Sequence, residues 1–266
     1  MQNDQFHANH SMKTHLMFRQ VRTALPFAAF AVGLMVTGCA SMPYIPPSGR
    51  ADFNTITSPT IQQSFAAKPT AQFPVGIAAI HVQAPYYRSY STDQQGGVFN
   101  GQNFSVILVK EAEDDADFQR LEKLPDVAGI MSISHLLLPP HLRSEQDLRE
   151  AAARLKAEMV LLYTFDTTFH EKDAALPLSI VTLGLSPTRR ISVHVTASAL
   201  VLDTRTGFVY AAFEASEKRS PYSTSWGSKE AADRARLEAE QAAFKALVGE
   251  FEKNWPGIVE RAKKGA

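Results

Sequence analysis

Five histidines lie beyond residue 38: His81, His135, His141, His170 and His194. No two of them stand four apart, and no His-Glu-x-x-His occurs, so their spacing offers no zinc-binding helix. The single cysteine, Cys39, leaves no second thiol for a metal or a disulfide. Ser186, in Gly-Leu-Ser-Pro, lacks the second glycine of a nucleophile elbow, and no phosphate loop ending in Gly-Lys-Ser/Thr occurs. The acidic run Glu111–Asp117 lacks the glycine and spacing of a calcium loop and reads as the charged start of a helix. Asp166, His170 and Glu171 follow an expected strand end and, with His194, are the groups that a site dispersed in sequence would use. Two loops mix aromatic rings with charge: Tyr86, Tyr87, Arg88 and Tyr90, then Tyr222 and Trp226 beside Arg219. Tyr, Trp and Arg dominate protein contacts, so these are the candidate partner residues; the competing reading folds the rings back onto their own domain. The expectation is no catalytic residue, no metal and no bound cofactor.

The N-terminus carries Lys13, Arg19 and Arg22, then an uncharged run from Ala24 to Val36 that contains Pro26. That run is short of the ~20 apolar residues that span a bilayer and suits the core of a secretory leader. It ends in Val36-Thr37-Gly38-Cys39, which resembles the lipobox of bacterial lipoproteins. Thr37 and Gly38 let an extended chain enter a peptidase cleft, and the Cys39 thiol is the lipid acceptor. The resemblance implies a signal peptide over 1–38, cleavage before Cys39, a diacylglyceryl thioether there and a further acyl chain, such as palmitate, on the new amino group. Two or more such chains hold a protein firmly on a membrane. Ala40, where an Asp would retain a lipoprotein on the inner membrane, implies the periplasmic face of the outer membrane, with the inner membrane as the alternative. The first translated residue is open among Met1, Met12 and Met17.

Removing residues 1–38 takes Lys13, Arg19, Arg22 and Asp4 from 27 basic and 27 acidic residues, leaving a net charge of about −2. No basic field draws such a chain to nucleic acid. Residues 39–72, with Pro43, Pro46, Pro47, Pro59 and Pro69 among small polar residues, read as the lipidated N-terminus and a flexible tether. As a coil, ~33 residues have an end-to-end distance of roughly 30 Å.

A single domain is expected over 73–256 and a frayed tail over 257–266. Strands are expected at Val75–Val82, Phe104–Val109, Val127–Ile133 and Met159–Phe165, with a loop over 84–103. Ile191 to Val201 alternate as a one-face-buried strand, Asp203–Gly207 turns it, and Phe208–Ala215 returns. Helices are expected over 113–123, from Ser144 (capped through Asp147), and from Ser228 to about 254, the last burying a face of Leu237, Phe244, Leu247, Val248, Phe251 and Trp255. Residues 174–187, apolar but broken by Pro177, Gly184 and Pro187, have no settled role. The fold class is α/β (α+β): a mixed sheet with a long C-terminal hairpin, covered by helices that include a long C-terminal one.

The junction Ala157-Glu158-Met159 and the turn Asp203–Gly207 resemble those of periplasmic α/β lipoproteins of the curli-secretion channel subunit and peptidoglycan synthase activator type, over roughly residues 150–250. That resemblance implies an envelope component acting on a protein or cell-wall partner. The membrane-inserting hairpins of the channel subunits find no counterpart here, since 174–187 is short and does not alternate. Three functions follow: a non-enzymatic, membrane-anchored binding or assembly factor held to the bilayer through Cys39; an envelope hydrolase around Asp166, His170 and His194; or a subunit of an oligomeric secretion or pore complex.

Overall fold

The computed structural model describes residues 46–57, 61–173, 189–220, 222–223 and 228–265. At its centre lies β1 (Val75–Gln83), buried at every position except the partly exposed Gly76. A strand covered on both faces is expected to be near-continuously apolar rather than alternating, as Val75–Val82 is except at His81. One edge of β1 pairs in parallel with β5 (Met159–Asp173). The other edge is divided. β4 (Val127–Ser132) runs parallel along Val75–Ala79, and β3 (Ser105–Ile107) runs antiparallel along His81–Gln83. β2 (Val98–Asn100) closes that rim against β3. Beyond β5 come β6 (Arg189–Asp203) and β7 (Val209–Arg219), both antiparallel to their neighbours, and β8 (Tyr222–Ser223) pairs with the start of β6. The result is an eight-stranded mixed sheet with a long hairpin.

The helices are α1 (Phe53–Ile56), α2 (Ile61–Ala66), α3 (Tyr90–Gln95), α4 (Asp115–Glu122), α5 (Glu145–Arg154) and α6 (Ser228–Gly265). The strand period of two assigns the two cores. Val75, Ile77, Leu161, Phe165, Val195, Ala197 and Ala199 face α6 and α4. Ala78, Ile80, Val160, Leu162 and Leu202 face α5 and the N-terminal segment. Ala232, Ala235, Ala239 and Ala243 recur at helical spacing along α6 and are buried with Ala197 and Ala199 of β6. Small residues on both sides let the helix axis approach the hairpin closely. Phe244, Phe251 and Trp255 fill the remaining space, each contributing at most ~3 kcal/mol. At the start of α5, Asp147 Oδ2 accepts from the Ser144 and Arg143 amides, at 3.1 and 2.7 Å. This is the reach-back that the Ser-x-x-Asp spacing predicts.

Four expectations are corrected. The free tether over 39–72 is not free across its described part. Residues 46–57 and 61–72 form a strap that crosses the sheet with Ala51, Ile56 and Ala71 buried. Arg50 bridges to Gln83, the Ala51 amide donates to Thr164 Oγ1 (3.0 Å), and Thr70 donates to Asp203 through its amide (2.6 Å). A few apolar residues and backbone groups, placed at the right spots, suffice where composition suggests a coil. The frayed tail is also absent. Although Pro256 lacks an amide hydrogen, α6 continues to Gly265, with Ile258 and Ala262 buried, Trp255 Nε1 donating to Pro125 O (2.7 Å) and Lys263 paired with Asp126. The loop over 84–103 contains α3 and β2. Finally, β5 runs on past Phe165 to Asp173, because a long partner, β6, pairs it residue for residue.

Candidate functional site

Every titratable side chain that the sheet draws inward lies on the face beneath α6. His81 of β1 stacks on Tyr163 of β5, with ring centroids 5.1 Å apart, and meets the edge of Phe165 at 5.0 Å. Its Nε2 lies 3.1 Å from the Gln83 amide group, and Nδ1 lies 2.9 Å from Glu113 Oε1. That last contact is close but poorly aligned, and Nδ1 makes no well-formed hydrogen bond. The same Oε1 accepts from the Tyr163 hydroxyl at 2.8 Å. Burial works against the Glu113 carboxylate, yet the His81 ring and the Tyr163 hydroxyl outweigh it and hold its pKa below the usual range. Burial and the nearby Glu113 push Tyr163 far above the ordinary phenol value, so its hydroxyl stays a donor. With its amide turned, Gln83 donates to Thr164 Oγ1 and Phe165 O and accepts from His81 Nε2, which completes the network toward the strap.

A second set adjoins the first. Arg236 of α6 is fully buried and pairs with Glu240 (2.7 Å), Asp233 (3.0 Å) and Glu111 (3.0 Å). One guanidinium shared by three carboxylates cannot neutralise all of them. Burial, the largest influence, pushes the Glu240 carboxyl up to about 7 against the pull of Arg236 and the Thr167 hydroxyl, which donates to it at 2.9 Å. A space of about 60 Å³ beside His81, Glu113, Phe118 and Tyr163 adjoins an open groove of about 630 Å³ that Lys110, Glu113, Asp117, Glu238 and Lys245 help to line. The pairing of a His with a Glu beside a Tyr hydroxyl could move a proton, but Glu113 is 1 % exposed and His81 is 8 % exposed. Sequence spacing gave no sign of this cluster, since its members come from β1, β5, α6 and the segment before α4. Its one local signal was charged Arg236 and Glu240 at i, i+4 within the alanine stripe of α6.

The residues singled out from sequence fall in different places. Asp166, His170 and His194 share one face of the β5–β6 ladder: His194 stands opposite Thr168 and so diagonal to both Asp166 and His170, on the side away from α6, where both histidines are exposed. Among the described residues no group of three His, Cys, Asp or Glu is arranged to hold a metal. Tyr87 is not a surface contact. It is 4 % exposed, and its burial together with Glu240 raises its hydroxyl pKa. The reason is the preceding residue: Tyr86 adopts φ +57°, which reverses the chain and sends the two rings apart. Tyr86 is 72 % exposed. Arg88 is exposed and forms a two-pronged pair with Asp93 at 3.0 and 2.7 Å, and Tyr90 begins α3, half-buried. Val36, Thr37, Gly38, Cys39, Trp226 and residues 174–187 lie outside the described residues, as does the Tyr222 side chain. A surface that sequence reasoning missed is the outer side of α2, where Ile61 and Phe65 are 78 and 88 % exposed. The inner side of α2 helps to line a groove of about 860 Å³ with Ile56, Arg149, Phe208 and Val209.

No protein-family model matches the chain, and no curated protein matches it. Among solved structures it is similar to protein XCC0632 of Xanthomonas campestris, of the DUF330 family, at 12 % identity and TM-score 0.37, covering 81 % of this chain and 98 % of that one. A "putative lipoprotein" of Caulobacter crescentus CB15 shares 15 % identity at TM-score 0.23, over 42 % of this chain and 75 % of the other. The hypothetical protein CT253 of Chlamydia trachomatis shares 15 % identity at TM-score 0.29, over 67 and 95 %. At these scores none of the likenesses assigns a family or an activity.

Proposed function

We propose that this chain is an envelope lipoprotein, processed before Cys39 and held by lipid on that cysteine to the periplasmic face of the outer membrane, whose domain binds another envelope component without catalysing a reaction. The lipobox-like Val36-Thr37-Gly38-Cys39, followed at Pro46 by a strap packed on the domain, carries the reading. A binding role draws support from the burial of the His81 and Glu113 side chains within the domain. It also draws support from the exposed Ile61 and Phe65 on an ordered helix, since apolar residues gathered at a surface mark contact sites. The hydrolase alternative rests on Asp166, His170 and His194, which neighbour one another on the outer face of the β5–β6 ladder. Two measurements test the proposal. Labelled palmitate should enter the wild-type protein and not Cys39→Ala. A photocrosslinker at position 65 in intact cells should capture one discrete envelope partner. An unacylated wild type, or captured material without a specific component, refutes the corresponding half.

A further inference from the structure

The strap changes where the domain can stand. If residues 40–72 formed a coil, the domain would roam. With the chain bonded to the domain from Ser48, nine peptide units separate Cys39 from the first contact, and these span at most ~32 Å even when fully extended. The attachment point is one particular end of the sheet. Ser48 N donates to Arg88 O (3.2 Å), Arg88 N donates to Ser48 Oγ (3.1 Å), Ala84 N donates to Gly49 O (3.1 Å), and Arg50 bridges to Gln83. All of these surround the C-terminal end of β1. The strap then runs the length of the sheet to Thr70 and Asp203 at the opposite end, beside the first residues of β5.

At the attached end the chain presents Tyr86, 72 % exposed and in a backbone conformation that disfavours a bulky residue. Exposed Arg50 and Arg88 flank it. Tyr has an apolar ring and a polar tip, and Arg has an apolar stem and a cationic head. Both suit the boundary between headgroups and acyl chains. Resting on the proposed acylation of Cys39, we infer that the surface formed by Arg50, Tyr86 and Arg88 is the bilayer-facing end of the domain, with the Tyr86 ring seated among lipid headgroups. The exposed Phe65 lies toward the other end of the strap and faces the periplasm. The short connection keeps the Tyr86 surface beside the membrane continuously, so a single ring suffices where a diffusing protein would need many.

Cys39, the only cysteine, is consumed by the lipid, so an introduced Tyr86→Cys or Phe65→Cys supplies a unique thiol for an environment-sensitive fluorophore. Each labelled, acylated protein is reconstituted in phosphatidylethanolamine–phosphatidylglycerol vesicles, with or without brominated acyl chains. The label at 86 should shift to the blue and lose most of its emission to the brominated lipid, while the label at 65 should keep the spectrum it has in detergent-free buffer. Equal quenching at both positions, or quenching at 65 alone, overturns the inference while leaving acylation intact. Failure of the wild type to take up palmitate at Cys39 overturns the proposed function and this orientation together.

Discussion

Glu240 offers the sharpest test of how the buried cluster behaves. Its carboxyl is enclosed between Arg236 and Thr167 and moves from 4.5 in the unfolded chain to about 7 in the folded one. The folded protein therefore holds this proton more tightly. The stability that this contributes is fully present below about pH 4.5, declines as pH rises toward 7, and is gone above that. At ~1.36 kcal/mol per pH unit the change amounts to about 3 kcal/mol. Glu240→Gln keeps the shape and an acceptor for Thr167 but cannot ionise. The stability of wild type minus that of the variant should fall by about 3 kcal/mol between pH 4 and pH 8. Most effects of the other titrating groups drop out of this difference. Urea unfolding followed by tryptophan fluorescence, with Trp255 buried in the core, should show a relative midpoint shift of about 1 M or more at an unchanged slope. A difference that stays flat over that pH range, or rises with pH, would refute the claim that burial outweighs the Arg236 charge at this position.

Two other perturbations address the ends of the fold. Asp203→Ala removes the acceptor for Thr70 N, Arg205 N, Thr206 N and the Tyr210 hydroxyl. It should cost about 3 kcal/mol and admit limited proteolysis within residues 61–72, where the wild type resists cutting. The Thr70 amide, the Tyr210 hydroxyl and the Thr206 amide outweigh burial and hold Asp203 below its ordinary 3.8, so its share of stability is present above that pH and lost as pH falls through the lower folded value. Ile258→Ala, beyond Pro256, should lower stability by roughly 2–4 kcal/mol in thermal unfolding; a change within ~0.5 kcal/mol would mean that the helix end contributes little.

The elements that could be read from sequence carry their own local signal: β1 and β5 are continuous apolar runs, while the β6–β7 hairpin, α5 with its Ser144–Asp147 start and the body of α6 repeat with the period of one buried face. The strap did not, because Ala51, Ile56 and Ala71 lie scattered among prolines and polar residues and are buried only by the sheet they cross. Tyr87 was misjudged for a similar reason. Its fate hangs on the left-handed Tyr86, a backbone choice that residue type does not reveal. The basic end beyond residue 256 reads as frayed in sequence, yet the burial of Ile258 and Ala262 carries α6 on to Gly265. The His81–Glu113–Tyr163 and Arg236–Glu240–Glu111 groups assemble across separations of up to 125 residues, beyond the reach of any spacing rule.

Under the proposed lipid attachment at Cys39, the strap also determines how a pull on the N-terminal side enters the molecule. A pull at residue 46 meets the hydrogen bonds between Ser48 and Arg88, then Gly49 with Ala84 and Ala51 with Thr164, and only at the far end the Thr70–Asp203 contact. These yield one after another, and the load reaches the strands only after the last has gone. Stripping residues 46 to 70 lengthens the connection by roughly 80 Å while the eight-stranded sheet stays whole. The domain thus carries a mechanical fuse in series with its anchor. Single-molecule extension should record it as a small step of that size before the main rupture, and a trace with one rupture only would show that strap and sheet fail together.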